Sequence, residues 1–256
     1  MPEKTDPIVP KPAATVVLVR EVDAGWEVWM TQRPLDFRVL GGYYVFPGGK
    51  VEPQDEELVQ RGMGELGETE GYRMAPSHLY RLTPAFFAAA VRELFEEAGV
   101  LLAAGARGQA PEEGEIRQAR RELLNGHSSF PAVLSARGWR ARFQDLRHLG
   151  HRLTPDGLPY RFDTHFFVAE LPPGQRAVSD SREVADAAWL TPQEALARQQ
   201  RGEMSLALPT MAVLQAMSLS PKKEDWTLPP VHVLTGGNPL RSAPLSRPGS
   251  ASPDGR

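Results

Sequence analysis

Three carboxylates at helical spacing, Glu93, Glu96 and Glu97, stand beside Arg92 in the stretch Thr83–Val100, TPAFFAAAVRELFEEAGV. Intervals of three and four place all three acids on one helix face, about one turn long. Each like-charge pair costs about 0.2–0.5 kcal/mol even when exposed. A hard divalent cation, Mg²⁺ or Mn²⁺, would reverse that sign, because such ions take oxygen ligands and neutralise the cluster. The plainer alternative is a solvated acidic face in which Arg92 pairs with Glu96 at i, i+4.

The element that must hold these groups has both ends written into it. Thr83 is an N-cap residue whose hydroxyl can accept from the first free N–H groups, and Pro84 fits the first helical position. Gly99 supplies a left-handed residue at the end. Phe87, Val91, Leu94 and Ala98 form an apolar stripe for a core. Upstream lies Val45-Phe46-Pro47-Gly48-Gly49-Lys50-Val51-Glu52-Pro53-Gln54-Asp55. Here Pro47-Gly48-Gly49 reads as a turn whose glycines let backbone carbonyls come close to a metal or phosphate.

Arg92 to Val100, RELFEEAGV, resembles the helical half of the Nudix box, and Gly49 to Asp55 resembles its loop half. Asp55 stands where that family has Glu, and a long insertion, about 56–82, separates the halves. The layout is similar to the peroxisomal coenzyme A diphosphatase-like branch of the Nudix hydrolases. Gln32-Arg33, Val45 to Gly49, Asp55, Arg92 to Leu102, Arg161-Phe162-Asp163-Thr164, Phe166-Phe167 and Trp189-Leu190-Thr191-Pro192 carry the likeness, over about residues 13–215.

The resemblance implies a Nudix α/β/α sandwich around a mixed β-sheet, with the inserted loop and extra helices at about 112–137. It implies metal-dependent hydrolysis of a nucleoside diphosphate joined to another moiety, coenzyme A or acyl-coenzyme A first. ADP-ribose, nucleotide sugars or dinucleotides are the alternative substrates, and a non-catalytic nucleotide-binding module is the lesser one. Glu93, Glu96, Glu97 and the Gly49 carbonyl would hold Mg²⁺ or Mn²⁺. Glu93 would act on water, Arg92 would orient a carboxylate, and Glu183, with Asp180 and Asp186 competing, would supply a further acid. Arg33 and Arg161 would meet the anionic end of the substrate; Tyr80, Phe86 and the added helices would line an apolar groove unless they are simply core. A small-molecule nucleotide diphosphate is then the partner, with no nucleic acid and no membrane, and a homodimer stays open.

Composition sets outer limits. The chain has 256 residues, 41% of them hydrophobic and 24% charged, which suits one large domain with a real core. A net charge of −3 argues against general nucleic-acid affinity. The absence of cysteine excludes disulfides and thiolate chemistry. No apolar run reaches the ~18–20 residues of a membrane span. MPEKTDPIVPKP has no apolar core for a signal peptide, and DGR at the end is not an address of the Ser-Lys-Leu type, so a cytoplasmic location is expected.

Along the chain, 1–12 reads as a flexible segment, 13–220 as the domain and 221–256 as a Pro/Gly/Ser-rich tail. ATVVLVR and Trp26–Gln32 read as a strand and its hairpin return, with Arg33 either a surface residue or a phosphate fork. A short helix over Asp55–Arg61, a strand starting at Val100–Leu102, and helices over Glu112–Leu124 and Phe130–Arg137 follow. Strands are predicted over Leu146–Leu153, Tyr160–Glu170 and Ala187–Leu190, and helices after Thr191 and over Pro209–Leu219. His148 and His151, three apart on a strand, should face opposite ways. His78 reads as a surface residue, and Arg161, Asp163 and His165 share one strand face that is either cleft wall or solvated.

Overall fold

The computed structural model describes residues 8–65, 82–179 and 184–228. Lys11–Val22 (β1) is the middle of the fold. It is β-branched and apolar, and it is buried on both faces: Ala14, Val16 and Leu18 point to one core, Val17 and Val19 to the other. Only a strand with layers on both sides can bury such a run. Gly25–Gln32 (β2) returns antiparallel, with Gly25 at φ 115 as the strand leaves the turn.

Tyr43–Val45 (β3) pairs with β2, and Gly48–Lys50 (β4) pairs antiparallel with the first half of β1. The glycine pair is therefore strand, not turn. A Cβ on Gly48 would lie 2.5 Å from the Ala14 carbonyl oxygen, so the absent side chain permits close backbone approach rather than a reversal. Phe162–Glu170 (β9) runs parallel to β1 on its other side, and Arg147–Leu153 (β8) closes that edge antiparallel. Asp186–Leu190 (β10) pairs with β2, and Ser205–Leu206 (β11) with β3. The sheet is mixed and has eight strands.

On one face lie Pro53–Gln60 (α1), Pro84–Ala98 (α2), Glu113–Leu124 (α3) and Phe130–Arg137 (α4). On the other lie Pro192–Gln200 (α5) and Leu208–Leu219 (α6). The layers make the expected α/β/α sandwich. A small sheet of Gly64–Glu65 (β5), Trp139–Arg142 (β7) and Ala103–Gly105 (β6) ties the start of the insertion to the added helices.

α2 is buried nearly all round, from Phe86 to Phe95. The added helices cover its outer side: Phe130 of α4 packs on Phe95 with ring centroids 5.9 Å apart, and Ile116, Ala119 and Leu123 of α3 join the same core. These helices are bracing, so the groove expected among them is filled by their own side chains. Phe86 is likewise core, 4.3 Å from the His165 ring. Each such buried side chain contributes roughly 1.5–3 kcal/mol relative to exposure. Gly99 ends α2 in the left-handed conformation at φ 68. Thr83 is the N-cap, but its side chain makes no capping bond. Val100–Leu102 is buried chain outside any strand, and β6 begins at Ala103.

The two histidines of β8 do not diverge. A register shift between His148 and Gly150, with Gly150 at φ 139, adds a residue to that strand. His148 Nε2 thus comes within 3.0 Å of His165 Nδ1, while the His151 ring stacks 5.4 Å from His165.

Candidate functional site

Arg92, 2% exposed, is the hub of the carboxylate cluster. Its Nε and Nη2 donate to Asp55 Oδ1 and Oδ2 at 2.8 and 2.9 Å. Nη1 donates to Glu93 Oε1 at 2.8 Å and Glu96 Oε2 at 3.1 Å, and Nη2 also reaches the Lys50 carbonyl at 2.9 Å. One guanidinium thus joins α1, α2 and β4, a task that suits its rigid fork. Burial alone would lower the Arg92 pKa, but Asp55, Glu93 and Glu96 outweigh it and raise it.

Asp55 holds its place through local chemistry. It is the third residue of α1, in a capping box with Glu52, and it is fully buried. The loop acid therefore stays within reach of the box arginine despite the insertion between α1 and α2.

Glu93 lies against β4. A Cβ on Gly49 would sit 2.3 Å from its Oε1, so glycine leaves the space that the carboxylate fills. Glu97 Oε2 accepts from the Gly48 N–H at 2.9 Å. Burial raises the Glu93 pKa, against the pull of Arg92. The same cause, again opposed by Arg92 and joined by repulsion from Glu93, pushes Glu96 up to about 7. The cluster carries more negative charge than Arg92 neutralises.

Other candidates fall elsewhere. Arg33 donates from Nε to the Val39 carbonyl at 3.2 Å and lies 4.7 Å over the Phe37 ring, which braces the loop before β3. Arg161 donates to the carbonyls of Thr154 and Ile8 and pairs with Asp156 at 2.7 Å. Asp186 accepts from the Tyr44 hydroxyl at 2.7 Å. Asp180, Glu183, His78 and Tyr80 lie outside the described residues. A cavity of about 700 Å³ opens beyond α2 between Leu101–Ala104, Val168, Leu171 and Pro172, and none of the box carboxylates lines it.

A family model for the NUDT19 Nudix domain matches residues 77–217, more than half of the chain. The chain belongs to the Nudix hydrolases. A Nudix hydrolase structure from Alicyclobacillus acidocaldarius is 30% identical, with a TM-score of 0.72, over 87% of this chain and 99% of that one. Acyl-coenzyme A diphosphatase NUDT19 of Gallus gallus is 28% identical over 72% of this chain, and that of Xenopus laevis 25% over 67%. The chain spans 59% and 54% of the length of these two relatives.

Nudix hydrolases generally use divalent metals. The donors here fit that chemistry in kind: hard carboxylate oxygens, an uncompensated negative charge, and buried acids pushed toward neutrality that a cation would return to the ionised form. Among the described residues, however, no three acid or imidazole groups converge on one point. Glu93 and Glu96 turn to Arg92, and Glu97 turns to Gly48. An ion held by all three would take Glu96 and Glu97 out of these bonds.

Two contributors escaped the sequence reading. Glu52 completes the capping box around Asp55, and its spacing from Asp55 was the available signal. Arg120, which the sequence places only within the helix over Glu112–Leu124, reaches the end of α2.

Proposed function

We propose that this Nudix domain hydrolyses a diphosphate linkage with the help of Mg²⁺ or Mn²⁺, and that its substrate is coenzyme A or an acyl derivative. The observation that carries the reaction class is the Arg92 hub, with Glu93 seated against Gly49 and all three box carboxylates retained. A non-catalytic nucleotide-binding module would have no use for three mutually repelling acids.

A bound ion would neutralise the diphosphate and lower the pKa of its water. Glu93, Glu96 and Glu97, with the Gly49 carbonyl, are the residues to hold it. Arg92 orients Glu93 and Glu96 from one side through Nη1. Glu93, whose carboxyl is less acidic than usual through burial, accepts the proton as water oxygen bonds to phosphorus and the bridging phosphorus–oxygen bond breaks. Glu183 is the further acid carried into this reading. Arg33 and Arg161 are retained as contacts for the anionic end of the substrate, through whichever donors remain beyond the bonds described above.

The substrate assignment is supported by the two relatives named as acyl-coenzyme A diphosphatases and by the family model. The products would be adenosine 3′,5′-diphosphate and a phosphopantetheine. Steady-state kcat/KM for coenzyme A, an acyl-coenzyme A, ADP-ribose and NADH under one metal condition tests it. A coenzyme A compound should lead; a preference for ADP-ribose of about tenfold, near 1.4 kcal/mol, would remove the substrate assignment and leave the hydrolase assignment standing.

A further inference from the structure

The C-terminal turn of α2 is electrostatically awkward. Helix ends leave carbonyls unpaired and carry partial negative charge, which basic residues in the last turn offset. Here the last turn holds no basic residue and instead carries Glu96 and Glu97. The missing cation comes from another helix. Arg120 of α3 donates from Nε and Nη2 to the Glu96 carbonyl at 3.1 and 2.8 Å, and from Nη2 to the Glu97 carbonyl at 3.1 Å. Its Nη1 donates to the Val178 carbonyl at 2.7 Å.

Val178 is held from the other side as well, since its N–H donates to the Ala98 carbonyl at 2.8 Å. One guanidinium thus binds the backbone under two box carboxylates to the connection that follows β9. Gly99 makes room for it: a Cβ there would stand 2.7 Å from Arg120 Nη1. The left-handed backbone calls for glycine at 99, and its missing Cβ leaves the space that the arginine fills.

We propose that Arg120 is a positioning residue of the site. It fixes the backbone of Glu96 and Glu97 through their carbonyls, and so sets where the carboxylates can go. The added helix α3 is then more than bracing, because it supplies the cap that the box helix lacks. This rests on the metal-site reading above.

The test uses the full chain and two measurements. Binding of Mn²⁺ alone, followed by loss of the free-ion electron paramagnetic resonance signal, should weaken about 10- to 100-fold in Arg120→Met, the range for residues that orient metal ligands. Arg117→Met, an exposed arginine of the same helix paired to Glu113, should stay within about twofold of wild type. Arg120→Lys keeps the charge and loses the fork; it should fall between, and it carries the test if Arg120→Met does not fold. The second measurement is hydrogen exchange of the Ala98 and Gly99 amides, which should quicken in both Arg120 variants. A wild-type protein that binds no Mn²⁺ would defeat the metal-site reading, while the exchange rates would still judge Arg120. Folded Arg120 variants that match wild type in Mn²⁺ affinity, or that exchange no faster at Ala98 and Gly99, would overturn the proposal.

Discussion

Arg92 and Asp55 form a two-point ion pair between residues 37 apart in sequence, at 2.8 and 2.9 Å, with both side chains almost wholly buried. It brings the two halves of the box together across the insertion. Removing Asp55 takes the carboxylate from the buried Nε and Nη2 donors while Glu93 and Glu96 still face Nη1, at a cost of about 1–3 kcal/mol. Asp55→Ala should therefore lower stability by that amount in urea unfolding. A loss under about 1 kcal/mol would mean that the pair is not what joins α1 to α2.

Gly48 and Gly49 should separate stability from activity. A methyl group at Gly48 meets backbone at 2.5 Å, which cannot yield without moving β1. At Gly49 it meets the end of the Glu93 side chain, which can swing away. Gly48→Ala should be the more destabilising in thermal unfolding, whereas Gly49→Ala should fold with nearly wild-type stability and lose most of its kcat. The reverse ranking would contradict the close-approach account of both glycines.

Acid should weaken the fold through the imidazole cluster. Burial lowers His165 to about 3 and His148 to about 4, and it also lowers His151. Their contribution is full above the ordinary value of 6.5 and drains away as pH falls toward those folded values. Arg152 of β8 and Asp163 of β9 face the same cluster, and burial pushes Asp163 up to about 6, a smaller slope of opposite sign between 3.8 and 6. Unfolding free energy of metal-free protein should fall between pH 6.5 and 4, and it should fall less in His165→Gln. An unchanged slope in that variant would place the acid sensitivity elsewhere.

Much of the site was legible because its signals are local. The spacing of Arg92, Glu93, Glu96 and Glu97, with Pro84 and Gly99 at the helix ends, carried the helix and its acidic face. Gly48-Gly49 was misread because glycine marks tight turns and close backbone contacts alike, and only the pairing with β1 distinguishes them. His148 and His151 were misplaced because period-two counting assumes no bulge; Gly150 between them was the warning. Arg120 was out of reach, since nothing local tells which distant carbonyls an arginine will cap.

The loop acids should divide by what they already do. Asp186 is engaged with the Tyr44 hydroxyl, so Asp186→Ala should change kcat by less than about tenfold. Glu183→Ala should lose substantially more. Wild-type kcat in Glu183→Ala across the pH range would assign the handling of water to α2 alone.

In the proposed function, the α2 carboxylates and a divalent cation together cleave the diphosphate. Product formation from coenzyme A and the other diphosphates, with wild type and Glu97→Gln, in Mg²⁺ or Mn²⁺ and in excess chelator, tests it most directly. Activity should require the ion, and Glu97→Gln should lose at least about 10²-fold in kcat while keeping its fold. Undiminished turnover in chelator, or wild-type turnover by Glu97→Gln, would contradict it.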